Sequence, residues 1–146
     1  LARLPEPLRP SEETLTAIEG DHGSCFFYPC SERAYKPWNA LIDLQAEIGG
    51  DALIGRSLYP LLHHAGLRDI DVTPRVVYVD ASKPRLQDGF VRKTIIAMVE
   101  GVKEKALSQG LMTQEEWEAG IEDLHKTGQS PDGTFYYTFF KGIGVK

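Results

Sequence analysis

The sequence predicts an α/β fold in a single domain that spans residues 1–146. Strand patterns alternate with helical patterns along the chain, 42% of the residues are hydrophobic, and the last strand is apolar on both faces. A strand with two apolar faces belongs in the middle of a sheet, where both faces are covered. We therefore expect helices to pack on a sheet that has the C-terminal strand at its centre.

Each element of the first half is predicted by a local signal. The alternation of Leu15 and Ala17 predicts a strand. Ser31 can cap the next helix, and Gly49 can end it. Pro74 interrupts a later strand and indicates an edge position or a bulge, because proline has no N–H to donate. In chain order we predict a helix end (2–8), a strand (about 15–19), a loop (20–30), a helix (31–48), a short helix (57–65) and a strand (67–80).

The second half is predicted to be helical up to a closing aromatic strand. Pro84 suits the entry to the first of its helices. Thr113 and Glu116 form a capping box that starts a second helix. The aromatic run 134–140 predicts the doubly buried last strand. Residues 81–133 are therefore expected to form a two-helix insertion, or cap, between the last two strands.

Composition and charge exclude several classes of function. The formal net charge is −5, whereas proteins that bind nucleic acids by neutralising phosphates are normally basic, so we expect no nucleic-acid partner. No apolar run approaches the ~18 residues of a membrane span, and no signal-peptide pattern opens the chain. Cys25 and Cys30 are too few for a secreted disulfide framework. We therefore predict a cytoplasmic protein with no membrane partner.

Short motifs along the whole chain carry a resemblance to a known family. The first, from Ile18 to Ser24, reads Ile-Glu-Gly-Asp-His-Gly-Ser and follows the first predicted strand. The others are Gly55-Arg56, Leu58-Tyr59-Pro60-Leu61-Leu62, Ala65-Gly66-Leu67, Met98-Val99-Glu100-Gly101-Val102, Trp117-Glu118-Ala119-Gly120-Ile121 and the closing Gly133-Thr134-Phe135 with Tyr137-Thr138-Phe139-Phe140-Lys141. In these motifs the chain resembles class I S-adenosylmethionine-dependent methyltransferases, and within them a bacterial and archaeal subgroup.

The resemblance implies a fold and a reaction. It implies the C-terminal part of a Rossmann-like methyltransferase sheet, with strands five and six and an antiparallel strand seven inserted between them. The implied cofactor is S-adenosylmethionine, and the implied partner is a small-molecule methyl acceptor. Members of the family bind the cofactor with a glycine-rich loop and an acidic residue that we do not find in this sequence. We therefore expect a fragment that is inactive alone, and the cofactor-binding residues are left unassigned.

The motif also suggests where the chemistry lies. In open α/β sheets, ligands bind beyond the carboxyl ends of the strands, where Glu19, Asp21 and His22 are predicted. An imidazole with a pKa near neutrality suits general-base work, so Asp21 and His22 are the candidate catalytic residues and Glu19 is a candidate substrate-binding residue. The alternative is that Asp21 only caps the loop and His22 is an ordinary loop residue.

Three further residues are candidates for binding the substrate. Tyr28 and Trp38 can line a pocket, although Trp38 has helical spacing with Leu41 and Ile42, which favours a place in the core. Arg56 can bind an anionic group of the substrate or cap a helix, and the sequence does not separate these roles. The acceptor atom and the identity of the acceptor are not predicted.

A metal site is the weaker interpretation of the same region. His22, Cys25 and Cys30 have the spacing H-x2-C-x4-C, which is not a recognised ligand pattern, and His63 and His64 are the other potential ligands. The two cysteines lie among aromatic residues, where reduced cysteine is an ordinary small hydrophobe. We predict no metal, and a metal-dependent hydrolase is left as a third possibility.

A non-enzymatic role is the main alternative. The resemblance implies that the first strand normally pairs with a fourth strand that is not part of this sequence. An exposed strand edge recruits another chain. In this alternative the chain is an interaction or structural module that forms a homodimer, through the strand edge or through a swapped element.

Overall fold

A computed structural model describes residues 12–146, so the predicted helix end at 2–8 lies outside the described residues. The chain folds into a three-stranded antiparallel sheet with helices. In chain order the elements are β1 (Thr14–Tyr28), α1 (Glu32–Glu47), a 3-10 turn (Ile54–Ser57), α2 (Leu58–His64), β2 (Arg68–Val79), α3 (Pro84–Leu86), a π-helix (Gln87–Ile96), α4 (Ala97–Glu100), α5 (Lys103–Ser108), α6 (Gln114–Gln129) and β3 (Thr134–Val145).

The sheet has the strand order β1-β3-β2, and β3 is antiparallel to both neighbours. β1 and β2 therefore run in the same direction. The prediction that the aromatic last strand is central is confirmed. Pro74 lies in β2, which is an edge strand of the sheet. On the open side of an edge strand there is no neighbouring strand to accept an N–H, so proline is tolerated there.

The predicted loop at 20–30 is wrong, because β1 continues to Tyr28. Glycine and cysteine gave this stretch the composition of a loop. In the structure Phe27 pairs with Phe135 of β3, so the distant strand supplies the hydrogen-bonding partner that makes it a strand. The register shifts between Asp21 and Phe26, and this irregularity accommodates the segment that contains Gly23.

Helix α1 begins as predicted and ends at Glu47, one residue before the predicted end. The Ser31 hydroxyl caps the helix by accepting the N–H of Ala34 at 3.1 Å. The same hydroxyl donates to the buried Asp123 carboxylate of α6 at 2.8 Å, which ties the two helices together. Ile48, predicted on the apolar face, lies past the end of the helix and is 75% exposed.

The helical stretch that starts at Pro84 is broken rather than continuous. A ten-residue π-helix occupies Gln87–Ile96, and a turn at Gly101 separates α4 from α5. In a π-helix each N–H bonds to the carbonyl five residues earlier, so the turn is wider than in an α-helix. This change of period shifts the apolar residues relative to the face that the 3.6-residue pattern predicts. The capping box of α6 at Thr113 and Glu116 is confirmed.

The hydrophobic core lies between the helices and one face of the sheet. Trp38 of α1, Trp117 of α6 and Val99 of α4 are buried in it, together with Phe135 and Tyr137 of β3. Helices α1 and α6 approach closely at Gly120. A Cβ there would lie 2.5 Å from the Arg33 carbonyl oxygen, so no larger residue fits.

Helix α2 covers part of the opposite face. Its residues Leu58 and Leu62 are buried, and a Cβ on Gly142 of β3 would lie 2.6 Å from the Leu62 side chain. Successive side chains of a strand point to opposite faces, so β3 is covered on both sides along part of its length. Within residues 12–146, no helix has the length and apolar character that crossing a membrane requires.

Candidate functional site

His22 is held by its backbone in the irregular part of β1. Its N–H donates to the Ala52 carbonyl at 2.8 Å, and its carbonyl accepts the indole N–H of Trp38 at 2.9 Å. The His22 and Trp38 ring centroids are 5.3 Å apart. These contacts come from α1 and from the segment after it, so the sequence positions the imidazole through tertiary packing rather than through a local turn.

The two nitrogens of the His22 ring have different surroundings. Nδ1 lies 2.7 Å from the hydroxyl oxygen of Tyr137. Nε2 is buried and has no hydrogen-bond partner among the described residues. Buried polar atoms in native proteins are normally paired, and exceptions mark a functional group or a ligand site. Nε2 is therefore the atom of this site whose hydrogen-bonding capacity the described residues leave unsatisfied.

Gly20 makes the contact between His22 and Tyr137 possible. A Cβ at position 20 would lie 2.3 Å from the Tyr137 hydroxyl oxygen and 3.3 Å from its Cζ. Gly20 pairs with Phe139 in the ladder, so it lies on the same sheet face as Tyr137. Because Gly20 of the Glu-Gly-Asp-His motif has no side chain, it leaves room for the hydroxyl group of Tyr137.

Burial keeps both partners uncharged near neutral pH. It lowers the pKa of His22, and the negative charge of Asp21 opposes this effect only in part. Burial also raises the pKa of Tyr137, with smaller contributions from Cys25 and Asp21. A neutral imidazole has two tautomers. If Nδ1–H donates to Tyr137, Nε2 carries a lone pair and can accept a proton.

A cavity of about 710 Å³ opens beside His22. Its lining includes Gly20 and His22 from β1, and Tyr137 and Phe139 from β3. The π-helix and α4 contribute Phe90, Thr94, Ile95 and Met98. A volume of this size suits a small molecule. The cavity therefore brings the unpartnered His22 nitrogen together with an apolar, partly aromatic wall.

Asp21 points away from this cavity and forms an ion pair. It pairs with Thr138 in the ladder, on the sheet face opposite to Gly20. Its carboxylate is almost fully buried and accepts two hydrogen bonds from the Arg56 guanidinium, at 2.7 and 2.9 Å. It also accepts the N–H of Gly23 at 2.9 Å. This bidentate pair joins β1 to the 3-10 turn.

The candidate substrate residues separate into two groups. Glu19 borders the cavity, but it pairs with Phe140 in the ladder, so its side chain lies on the sheet face of Asp21 and points away from the cavity. Tyr28, Trp38 and Arg56 are not among the described residues that line it. Trp38 is buried in the core and holds the His22 carbonyl, Arg56 holds Asp21, and Tyr28 is 57% exposed near the end of β1. Of the predicted site residues, the structure thus places His22 at the cavity, and Trp38 contacts the His22 backbone from the core.

Sequence reasoning missed the partners of His22 in the cavity. Tyr137, Phe90 and Thr94 were assigned to a strand or a helix without a role in the site. The only available signal for Tyr137 was its place in the alternation of Phe135 and Phe139, which is equally typical of a core residue. The contact needs the pairing of β1 with β3, which local sequence does not show.

The cysteines and histidines do not assemble into a metal centre in the described part of the chain. Residues 12–146 contain no group of three or more His, Cys, Asp or Glu side chains that could hold a metal ion. Cys25 is buried, and burial raises the pKa of its thiol. Cys30 is exposed and free. His63 and His64 are exposed on α2.

Four glycines among the described residues have packing or capping roles. A nucleotide cofactor needs glycines at which the backbone approaches its ligand closely. Here Gly142 and Gly144 are covered by Leu62 and Leu67, so these glycines serve helix packing. Gly49 and Gly50 end α1. The cavity beside His22 lies next to a histidine nitrogen without a hydrogen-bond partner among the described residues, and a second cavity, of about 650 Å³, is lined by His125, whose buried Nδ1 also has none.

No protein-family model matches this chain, and no curated protein matches it either.

Proposed function

We propose that this chain is the acceptor-binding part of a class I S-adenosylmethionine-dependent methyltransferase whose acceptor is a small molecule. The observation that supports the proposal most is the strand order β1-β3-β2, with the last strand antiparallel between two strands that share a direction. This order and these directions are the ones that the resemblance of the sequence implies for strands five, seven and six.

The location of the cavity supports an acceptor site. The cavity lies beside Gly20 and His22, in the motif that follows the regular part of β1. Helical residues from the segment between β2 and β3 close it from the other side, among them Phe90 and Met98. A site between a strand and an inserted helical segment can hold a bound molecule in one orientation.

In this proposal, His22 receives the proton that the hydroxyl or amine group of the acceptor releases when it is methylated. The imidazole begins uncharged because burial lowers its pKa. The tautomer with its proton on Nδ1 donates to Tyr137 and leaves the Nε2 lone pair facing the acceptor. Tyr137 and Trp38 are positioning residues, since they orient the ring and the backbone of His22. S-adenosylmethionine supplies the methyl group when it is bound.

The test compares this chain with a longer protein that includes the coding sequence upstream of Leu1. We expect calorimetric titration to detect S-adenosylmethionine binding by the longer protein and little or none by residues 1–146 alone. In the longer protein, His22→Ala should retain cofactor binding and reduce methyl transfer by about 10²–10⁴-fold. His63→Ala, on an exposed position of α2, is the matched control and should retain transfer. A longer protein that binds no S-adenosylmethionine would overturn the proposal.

A second candidate function is supported by the outer edge of β1. Within residues 12–146, β1 pairs as a strand with β3 alone. Leu15 and Ile18 along it are 45% and 60% exposed. Because an open strand edge recruits another chain, we retain the proposal of a homodimeric interaction module. Light scattering of this chain at high concentration tests it, and a species of monomer mass alone would contradict it.

A further inference from the structure

The outer face of the sheet, which is the face opposite to the core, carries a row of aromatic side chains. Phe26 of β1 and Tyr78 of β2 both pair with Tyr136 of β3, so these residues form one row across the sheet. Phe135 and Tyr137 flank Tyr136 and are buried in the core, and neighbouring residues of a strand point to opposite faces. The row therefore points away from the core, and the ring centroids of Phe26 and Tyr136 are 5.7 Å apart.

Two further apolar residues extend this row along the edge strands. Tyr28 lies two positions after Phe26, and Val76 lies two positions before Tyr78, so both share the outer face. We call these residues and Tyr136 the outer patch: Phe26, Tyr28, Val76, Tyr78 and Tyr136. Outward positions of an antiparallel sheet that faces water are normally polar, so this cluster is unusual for a free surface.

The outer patch is large for an exposed apolar surface. Apart from Tyr136, its residues are between 44% and 59% exposed. An aromatic side chain has an area of about 150–250 Å², so the half-exposed rings and Val76 present roughly 400 Å² of apolar surface to solvent. A patch of this size is comparable to the largest that a typical monomer exposes, and such patches commonly bind a partner.

The chemistry of the outer patch fits a second copy of the same patch. None of its residues is charged, so two copies can face each other without bringing like charges together. A tyrosine hydroxyl both donates and accepts hydrogen bonds, so the hydroxyls of Tyr28, Tyr78 and Tyr136 can pair with the same groups of another copy. An interface between identical patches requires such self-complementarity. Two sheet faces also stack readily, about 10 Å apart, with strand directions within about 30° of each other.

The area of the outer patch suits the apolar centre of a dimer interface. A standard interface buries about 800 Å² on each partner and has an apolar centre with a polar rim. The outer patch supplies roughly half of this area, and the polar residues around it supply the rim. Lys83 lies at its border, where Nζ is 4.7 Å from the centroid of the Tyr78 ring and donates to the Tyr78 carbonyl at 3.0 Å. These areas indicate a dimer of modest affinity.

We infer that two copies of this chain associate through their outer patches, with the sheets stacked face to face across a twofold axis. This assignment rests on the homodimer proposed above as the second candidate function, and it moves the interface from the edge of β1 to the outer face of the sheet. The cavity beside His22 is lined by Gly20 and Tyr137, which lie on the core face, so the cavity stays open in this dimer.

Sedimentation velocity of this chain, from micromolar to millimolar concentration, tests the assignment. We expect a monomer–dimer equilibrium. The double variant Phe26→Thr with Tyr78→Thr should weaken dimerisation by about 100-fold or more, because both copies lose two central aromatic side chains. Threonine suits these positions, since it retains a high strand propensity. Leu111→Gln is the matched control: Leu111 is 44% exposed between α5 and α6, outside the outer patch, so its replacement should leave dimerisation unchanged.

NMR of the wild-type chain gives a second measurement that does not depend on the folding of a variant. Raising the protein concentration should shift the amide signals of Phe26, Tyr78 and Tyr136. The signals of residues 14–18, which lie along the edge of β1, should shift less, whereas pairing through the strand edge would shift them most.

Three results would overturn the inference. Unchanged dimerisation in the folded double variant, with the largest shifts at residues 14–18, would leave the homodimer proposal standing and return the interface to the strand edge. A wild-type chain that stays monomeric at every concentration would remove both. Shifts of the outer patch on addition of a single-stranded thymidine oligonucleotide, without self-association, would assign the exposed rings to base stacking instead.

Discussion

His22 Nδ1 and the hydroxyl oxygen of Tyr137 lie 2.7 Å apart, although 115 positions separate the two residues in the chain. The antiparallel pairing of β1 with β3 creates this contact, and Gly20 leaves the space for the tyrosine hydroxyl. The hydrogen bond occupies one ring nitrogen, and the other, Nε2, is buried without a hydrogen-bond partner among the described residues. The central strand of the sheet therefore also orients the candidate base.

Removing the Tyr137 hydroxyl should release the His22 ring. In Tyr137→Phe, Nδ1 loses its partner in a partly buried site, so we expect the free energy of unfolding to fall by about 1–2 kcal/mol. We also expect a mixture of imidazole tautomers where the wild type has mainly one. Nitrogen-15 NMR of the ring measures the tautomers, and urea denaturation measures the stability.

Tyr136→Phe is the matched control for this change. Tyr136 is the neighbouring residue on β3, points to the opposite sheet face, and packs on Phe26 with ring centroids 5.7 Å apart. This variant removes the same hydroxyl group without touching His22, so its ring tautomer should match the wild type. Equal tautomer populations in Tyr137→Phe and Tyr136→Phe would show that the hydrogen bond does not orient His22.

The sequence predicted the larger part of the fold because most elements have local signals. The Ser31 cap, the capping box at Thr113 and the apolar faces of α1 and α6 are local patterns. The central position of β3 followed from its aromatic residues on both faces. The strand at 20–28 was missed because Gly23 and its neighbours give a loop composition, while the hydrogen bonds that define the strand come from β3.

The candidate site was predicted only in part for the same physical reason. His22 and Glu19 belong to one short motif, so a sequence pattern could select them. The separation of His22 from Glu19 and Asp21 was not predicted, because it depends on which sheet face each side chain takes. Phe90 reaches the cavity from a π-helix, whose period differs from the one used to assign helical faces. The site residues that local patterns do not predict are therefore positioned by long-range strand pairing and by an irregular helix.

A methyl group at position 20 should disrupt the site without removing any functional atom. In Gly20→Ala, the new Cβ would overlap the Tyr137 hydroxyl oxygen, which would lie 2.3 Å away. The ring of Tyr137 must move, and we expect a loss of about 1–3 kcal/mol in the free energy of unfolding together with loss of the His22 contact. Thermal denaturation and the His22 NMR signals measure the two effects.

Gly89→Ala provides the control for this glycine substitution. Gly89 lies in the π-helix, and a Cβ there would meet no atom within 4 Å. Because alanine has the better helix propensity, this variant should be neutral or stabilised by up to about 1 kcal/mol. If Gly20→Ala is as stable as Gly89→Ala and keeps the His22 signals, the close approach of Tyr137 to Gly20 is not present in solution.

Arg56 should contribute to stability through the buried carboxylate of Asp21. In Arg56→Met, Asp21 keeps only the Gly23 N–H as a direct partner of its carboxylate, so we expect a loss of about 1–3 kcal/mol. The loss stays below that of a fully buried pair because about half of the Arg56 side chain is exposed. Arg56→Lys should recover part of it, since a lysine retains the charge but not the two parallel hydrogen bonds.

Arg92→Met is the control for the loss of an arginine. Arg92 pairs with Asp88 one turn earlier, and both side chains are about half exposed. Such surface pairs contribute little, so the expected change in unfolding free energy is within about 0.5 kcal/mol. Equal losses in Arg56→Met and Arg92→Met, measured by urea denaturation, would contradict a structural role for the Asp21 pair.

Burial of His22 should make the stability of the protein depend on pH. Its pKa in the folded state is lowered, so between that value and about 6.5 the unfolded chain binds more protons than the folded one. Stability is therefore complete above about pH 6.5 and falls as the pH decreases through the folded-state pKa, by at most about 1.4 kcal/mol per pH unit for this one group.

The difference between wild type and His22→Gln isolates this dependence, because the other titrating groups are common to both proteins. We expect the unfolding free energy of the wild type, relative to His22→Gln, to be constant above about pH 7 and to decrease toward pH 5. Urea denaturation at a series of pH values measures it. A relative stability that rises as the solution is acidified would mean that the folded protein favours the charged imidazole, and His22 would then be a poor proton acceptor in the cavity.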